Sequence, residues 1–513
     1  NNLVGLGQGG LGLGERDYYL SDDAQVVAVR KAYAEYLKKM LVLAGNDEAT
    51  AQRKADATMR IETRIAKASK SQVELRDVQA NYHKMTYNAL VKDFPGIESF
   101  RNLIDVLQDG VRLPLVRIPE GEPAWTGNKP GDLAPILIQH PDNPPLFAWA
   151  EYENALMSGN REHLKDILRN TKVLQKHYDW LESLKESVLP DQCMIPTRWI
   201  HHEKGYFWGG TPSGMDNTPR GRGRYDAIHW VDAPAQQALS ARCIAEIGAI
   251  AGDRAAMEHF EREYAEKTAL LAKYFDSETG CFLDRYRDGS GFCRVLTPAS
   301  FWALAAHCAT REQAESQIRS LLDPRKLGGD FPFASVAHDD PDFRPEGAYW
   351  RGGIWLPVAY MSVKACEEYG RFELAAELAK RLVEMMERTF REFSPHTIWE
   401  CYSPTAYRPS TNKVNELVRQ DFCGWSALGP IALMIENVVG LVRMDAAEQR
   451  IEWLPGGSGR MGMKNLPLGG NRISLVLEND RISVDCIQPF RLIFRGRELA
   501  CPAGRSVIEI LLG

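Results

Sequence analysis

From about residue 97 to about residue 440 the chain alternates between helical stretches and long loops dense in Gly, Pro and Trp, and this alternation constrains the fold more than any other feature. Helical periodicity is read near 98–108, 144–158, 160–186, 233–252, 254–275, 297–308, 311–322, 353–369, 371–391 and 424–440. Apolar residues at that spacing leave one face that must be covered by a neighbour. Asp253 and Asp47 stand where N-caps or turns belong, and Gly370 where a C-cap belongs. Short and long connections alternate. Helices so joined form a ring of hairpins that gathers the long loops (111–143, 187–232, 276–296, 323–352 and 392–423) at one end. Irregular stretches of this length in a compact domain are usually functional.

The two ends differ from the middle. The first 23 residues are Gly-rich, and two amphipathic helices follow, over Ala24 to Ala44 and Glu48 to about Ala68, each needing a partner surface. Beyond Val438, alternating segments such as Ile473–Glu478 and Arg481–Asp485, with Asn479-Asp480 as the turn, predict strands. Phe490 to Phe494 and Ser506 to Leu511 continue that pattern. The expected division is an N-terminal helical segment 1–97, a helical domain 98–440 and a small antiparallel β segment 441–513.

Composition removes several function classes. A formal net charge of −6 with no Lys/Arg-rich block argues against nucleic acid as a partner. No apolar run is long enough to cross a bilayer, so no membrane partner is expected. The 10 cysteines are scattered without C-x-x-C spacing and read as buried free thiols. The start, Asn1-Asn2-Leu3-Val4, has neither an initiator Met nor a signal peptide, which suggests a processed end or a chosen boundary. The compartment stays open, periplasmic or extracellular being favoured over cytoplasmic, and the oligomeric state is not legible. His201-His202-Glu203-Lys204-Gly205 lacks the second His of a zinc helix, and no calcium loop, P-loop or G-x-S-x-G occurs. Gly5 to Gly14 follows no strand and lacks G-x-G-x-x-G. No metal and no cofactor are expected.

What remains is carboxylates set among aromatics. The loop Trp208 to Arg220 places Asp216 and Asn217 in a turn of small residues. The loop His396 to Pro404 places Glu400 between Trp399 and Tyr402. A third segment, Glu346 to Trp355, joins Tyr349, Trp350 and Arg351. Sugar rings stack their apolar faces on aromatics, and cleaving a glycosidic bond needs two carboxyl groups flanking it. Taken singly, each acid would more often be a loop cap or a surface charge; the conjunction of three such loops shifts the reading toward a sugar site.

These segments, in order, resemble glycoside hydrolase family 63. The pieces are Phe100-Arg101-Asn102-Leu103-Ile104, Asp109-Gly110, Asn143-Pro144-Pro145-Leu146-Phe147-Ala148-Trp149 and His177-Tyr178-Asp179-Trp180. Ser213-Gly214-Met215-Asp216-Asn217, Val231-Asp232 and Tyr349-Trp350-Arg351-Gly352 follow. Trp399-Glu400-Cys401-Tyr402-Ser403-Pro404 and Gly424-Trp425-Ser426-Ala427-Leu428-Gly429-Pro430 complete the set. Trehalases share the barrel but usually carry Trp where Met215 stands. The resemblance implies a mainly α (α/α)6 barrel and an inverting α-glycosidase acting on a glucoside or mannoside, with Asp216 as general acid and Glu400 as general base. It also implies substrate contacts from Trp208, Asn217, Asp232, Tyr349, Trp350, Arg351, Trp399, Tyr402 and Trp425. Asp232 could instead cap its helix, and Arg351 could serve a structural ion pair. His140 and Asn143 could reach the sugar. Inversion requires the two carboxyls roughly 6.5–9.5 Å apart. The rival reading is a carbohydrate-binding barrel that keeps the aromatics but separates or salt-bridges the acids.

Residues 1–97 depart from this pattern and lack the family's early Trp-Asp motif. Gly10 to Leu20, Arg60 to Ala68, Leu75-Arg76-Asp77 and Asn81 to Tyr87 resemble a helical part of neprilysin-type zinc metallopeptidases without the zinc-binding segments. A natural or engineered fusion, a splice of two sequences, or two helices standing in for a missing barrel pair would each account for this. Ten helices plus these two give the twelve of an (α/α)6 ring.

Overall fold

A computed structural model describes residues 11–43, 46–71, 74, 115–117, 133–135, 144–183, 200–202, 205–208, 213–457 and 459–510. The helix expected at 98–108 and the division expected near residue 97 lie outside the described residues, as do His140 and Asn143. Two units make up the chain: residues 1–116 with 133–137, and residues 117–132 with 138–513.

The first unit contains α1 (Asp17–Leu20), α2 (Ala24–Leu43) and α3 (Glu48–Ala68). Asp47 caps α3 by accepting the Thr50 amide, as its position predicts. The small side chains of Ala51, Ala55 and Ala66 are buried, and α3 packs on α2. The Glu62 carboxylate accepts hydroxyls from Tyr19 at 2.7 Å and Tyr33 at 3.2 Å, tying the three helices together. No residue of α2 is buried, and Tyr36 and Met40 stay exposed, so its expected apolar face is only partly covered.

The second unit holds helices α4 (Phe147–Ser158), α5 (Arg161–Lys165), α6 (Val173–Ser183), α7 (Asp232–Ala251) and α8 (Arg254–Leu271). It continues with α9 (Trp302–Ala305), α10 (Arg311–Ile318), α11 (Leu356–Glu368), α12 (Phe372–Glu392) and a π-helix over Gly429–Val438. A two-residue turn, Gly252 in the left-handed region and Asp253 capping Ala256, reverses the chain between α7 and α8 and packs them as a hairpin. The pair α11 and α12 is joined the same way at Gly370, whose φ is +74°. Helix α7 also meets α4 and α9, α9 meets α11, and α12 meets the π-helix. Helix α7 is rich in Ala and buried around nearly its whole circumference, which only small side chains permit. Helix α12 buries one stripe, Leu378, Leu382, Met385 and Met386, and leaves its charged face to water. Among the described residues the result is a helix-rich body of packed hairpins.

After the π-helix the chain becomes β. Strands β1 (Leu441–Asp445), β2 (Arg450–Trp453), β6 (Phe490–Phe494) and β7 (Arg497–Cys501) form one sheet in the order β1-β2-β6-β7. Strands β3 (Met461–Leu468), β4 (Asn471–Glu478), β5 (Arg481–Cys486) and β8 (Gly504–Glu509) form the other, in the order β3-β4-β5-β8. Alternation in β5, with Ile482, Val484 and Cys486 inward, is the period-two pattern of a strand solvated on one face. The two sheets share one core around Trp453, Leu475, Leu492 and Phe494. One pairing departs from the expected antiparallel arrangement: β2 and β6 run parallel. They are separated by the whole β3–β5 meander, which gives the chain room to cross over. Of the described cysteines, Cys423 is exposed and the rest are buried free thiols.

Candidate active site

Three loops of the second unit meet through backbone and amide contacts. The first, 213–231, turns at Gly214, whose φ of +77° suits a residue without Cβ. The Tyr225 hydroxyl braces it, donating to the carbonyls of Asp216 at 3.3 Å and Thr218 at 2.9 Å. The second, 343–355, passes through three consecutive left-handed residues, Gly347, Ala348 and Tyr349. Two of these carry side chains, so the backbone is held in a sparsely populated region. What holds it is visible. The Tyr349 amide donates to the Thr411 carbonyl at 2.7 Å, and the Ala348 amide to the Thr411 hydroxyl at 3.1 Å. The third loop, 396–425, is joined to the second by the reciprocal pair Ile354 and Tyr402, at 2.8 and 3.0 Å.

Asn217 fastens the first loop to the second. Its Nδ2 donates to the Ala348 carbonyl at 3.1 Å, and its Oδ1 accepts the Trp350 amide at 2.8 Å. A single side-chain amide thus stands in for a strand. Glu400 and, through Lys413, Asp216 are both linked to Tyr349. The Tyr349 hydroxyl donates to Glu400 Oε1 at 3.2 Å. Lys413 Nζ lies 5.1 Å from the centre of the Tyr349 ring and 3.0 Å from Asp216 Oδ2. Both carboxylates, behind the larger effect of burial, push the Tyr349 phenol above its ordinary range, so it is a donor and not a base. Glu400 is buried, and its Oε2 faces the Arg419 amide at 3.5 Å. Its carbonyl accepts from Trp425 Nε1 and the Ser426 hydroxyl, which fixes the backbone at the acid. Asp216 is partly open to solvent, with 28% of its side chain exposed.

The aromatic residues form a wall. Trp350 stacks on Trp355 with ring centres 4.1 Å apart, Tyr349 meets the Trp355 ring edge-on, and Trp425 leans against Trp355 and Phe422. Of this wall Tyr349 is half-buried and Trp425 is 42% exposed, so these two can offer a face to a ligand.

Several expected substrate contacts are buried. Trp208 is fully buried and packs edge-on against Trp230 in a core that also contains Tyr206 and Val295. Trp350, Trp399 and Tyr402 are buried too; Trp399 packs on Phe393, and the Tyr402 hydroxyl accepts the Trp399 amide. Each large ring gains more by core burial than by exposure. Asp232 is 1% exposed and gives both oxygens to Arg220 at 2.6 and 2.9 Å. Arg220 also bonds Asp284 twice and lies 4.2 Å over the Trp230 ring. Asp232 is therefore one arm of a buried Asp–Arg–Asp clamp at the start of α7. Arg351 pairs with Asp342 at 2.8 Å, the structural ion pair that its position left open.

Lys413, Tyr225 and Thr411 were missed. Arg220 lies inside the Asp216 motif and could have been flagged from it, but nothing in the local sequence says where the Lys413 side chain goes. Among the described residues no group of three or more His, Cys, Asp or Glu is placed to hold a metal. No helix among them is long and apolar enough to cross a membrane. A separate groove of about 880 Å³, lined among others by Arg371, Phe372, Asn437, Pro455 and Arg495, shares no residue with this site.

The second unit is thus a body of packed helical hairpins followed by a β region, with Glu400 held against an aromatic wall. A solved sialidase shares the fold over 76% of this chain and 34% of its own, with a TM-score of 0.54 and 14% identity. The chain belongs to the mannosylglycerate hydrolase MGH1-like glycoside hydrolase family, whose domain matches residues 137–413, more than half of its length. The resemblance to glycoside hydrolase family 63 is borne out. An uncharacterized protein of Borreliella burgdorferi is 25% identical over 341 residues, covering 65% of this chain. A mannosyl-oligosaccharide glucosidase of Saccharomyces cerevisiae is 25% identical over 306 residues, covering 52% of this chain. The chain spans 66% of the first relative's length and 34% of the second's. Residues 1–117 match a different family, the N-terminal part of peptidase family M13, in keeping with the neprilysin-type resemblance.

Proposed function

We propose that the second unit hydrolyses an α-linked glucoside or mannoside with inversion, on an (α/α)6 barrel, with Asp216 as general acid and Glu400 as general base. The observation that supports this best is that Tyr349 is linked to both acids: its hydroxyl donates to Glu400, and Lys413, which lies over its ring, pairs with Asp216. Asp216 is open enough to meet a glycosidic oxygen. Glu400 is buried and oriented by a hydroxyl and a backbone amide, the setting of a base that must hold one water in place. Trp425 and the Tyr349 ring would stack on the sugar. The 441–513 segment is taken as an accessory β part. The proposed substrate is an oligosaccharide or small glycoside.

One observation favours a second reading, a carbohydrate-binding protein without turnover. Asp216 stands in an ion pair with Lys413, and a general acid must carry a proton. With side chains 50% and 28% exposed, however, the pair is a weak one. Hydrolysis of α-glucosyl and α-mannosyl disaccharides by the parent, Asp216→Asn and Glu400→Gln separates the two. The proposal expects turnover by the parent and a loss of about 10²–10⁴-fold in each variant. Calorimetric binding of the same sugars with no turnover by the folded parent would support the second reading instead.

A further inference from the structure

We propose that Lys413 is a resting-state latch on Asp216, a positioning residue that the substrate must displace before the acid can act; this rests on the reading of Asp216 given above. Lys413 sits at the tip of a tight hairpin. Thr411 pairs with Leu417 at its base, the Asn412 amide donates to the Glu416 carbonyl at 2.7 Å, and Asn412 Oδ1 accepts the amides of Val414 and Glu416. The same Thr411 accepts the amides of Ala348 and Tyr349, so the hairpin tip is registered to the Tyr349 ring. From there the Lys413 side chain crosses the ring face and donates to Asp216 Oδ2 at 3.0 Å.

The backbone is held while the side chain is half exposed, so opening needs only rotation of the lysine side chain. In the closed state the ammonium occupies a carboxylate oxygen that must face the glycosidic oxygen. No other basic side chain makes a salt bridge to Asp216 among the described residues. An exposed pair of this kind is weak, so the latch slows the resting enzyme by a small factor and does not block it.

The test compares Lys413→Met, Lys413→Arg and Asp216→Asn with the parent full chain. Two probes of the same sugar are used, an α-linked disaccharide and the α-glycosyl fluoride, whose leaving group needs no proton. The latch predicts that Lys413→Met raises kcat/KM on the disaccharide about two- to fivefold, leaves the fluoride rate unchanged, and removes the salt dependence. The parent and Lys413→Arg should speed up on the disaccharide between about 20 and 300 mM salt, as screening loosens the pair. An unchanged or lower disaccharide rate in Lys413→Met, or equal changes on both probes, overturns the latch. Asp216→Asn keeps the two readings apart. If it is inactive on the disaccharide but active on the fluoride, the acid assignment holds whatever Lys413→Met does. If it cleaves the disaccharide as fast as the parent, the acid assignment has failed and the latch falls with it.

Discussion

Replacing Arg220 with methionine removes a cation from between two buried carboxylates. Arg220 is 1% exposed and makes four charge-assisted hydrogen bonds, to Asp232 at 2.6 and 2.9 Å and to Asp284 at 2.8 and 2.6 Å. Burial alone would weaken its hold on the proton, but the two carboxylates more than offset that and raise its affinity for it. Methionine fills part of the stem's volume and loses the contact with Trp230. Breaking a buried ion pair from one side costs about 3–5 kcal/mol, because the partner is left charged in a dry setting. Here there are two partners, so the loss should reach the upper end of that range. Urea unfolding of Arg220→Met beside the parent measures it. The triple change Arg220→Met, Asp232→Asn, Asp284→Asn should recover a large part of the loss, since most of it is the penalty of stranded charge. A loss under about 1 kcal/mol for Arg220→Met, or a triple variant no better than the single one, would refute this account of the clamp.

Tyr349→Phe removes only the hydroxyl that holds Glu400, so kcat should fall about 10-fold or more with the fold intact by circular dichroism. Glu367 is mostly buried and its carboxyl titrates above the usual range, burial outweighing the nearby Lys364. A raised carboxyl favours the folded state when protonated. The parent should therefore gain thermal stability relative to Glu367→Gln as pH falls toward the ordinary carboxylate value of about 4.3, and lose that advantage as pH rises through the raised value. Melting curves across pH check this; a pH-independent difference contradicts it. Among the described cysteines only Cys423 is exposed, while burial pushes Cys281 and Cys308 up to about 11. A thiol reagent with peptide mapping should find Cys423 modified long before those two.

The hairpins at α7–α8 and α11–α12 were legible because local chemistry fixes them: Asp253 caps one and Gly370 ends another. The strands of the C-terminal region were legible from period-two alternation. The parallel partner of β2 was not, since pairing between distant segments leaves no local mark. At the candidate site the acids could be picked out because each sits in a loop too long and too aromatic for a plain connection. The destinations of Trp208, Trp399 and Asp232 could not. An aromatic or an acid in such a loop serves a cleft or a core equally well, and only packing decides. Lys413 illustrates the opposite failure. It is ordinary in sequence and becomes notable only when the hairpin carries it across Tyr349 to Asp216.

The most direct test of the two-acid account is proton NMR of the first sugar released from an α-linked glucosyl or mannosyl disaccharide, followed before mutarotation sets in. The account predicts that the parent releases the β anomer and that Asp216→Asn and Glu400→Gln release almost nothing. Release of the α anomer, or undiminished release by either variant, would contradict it.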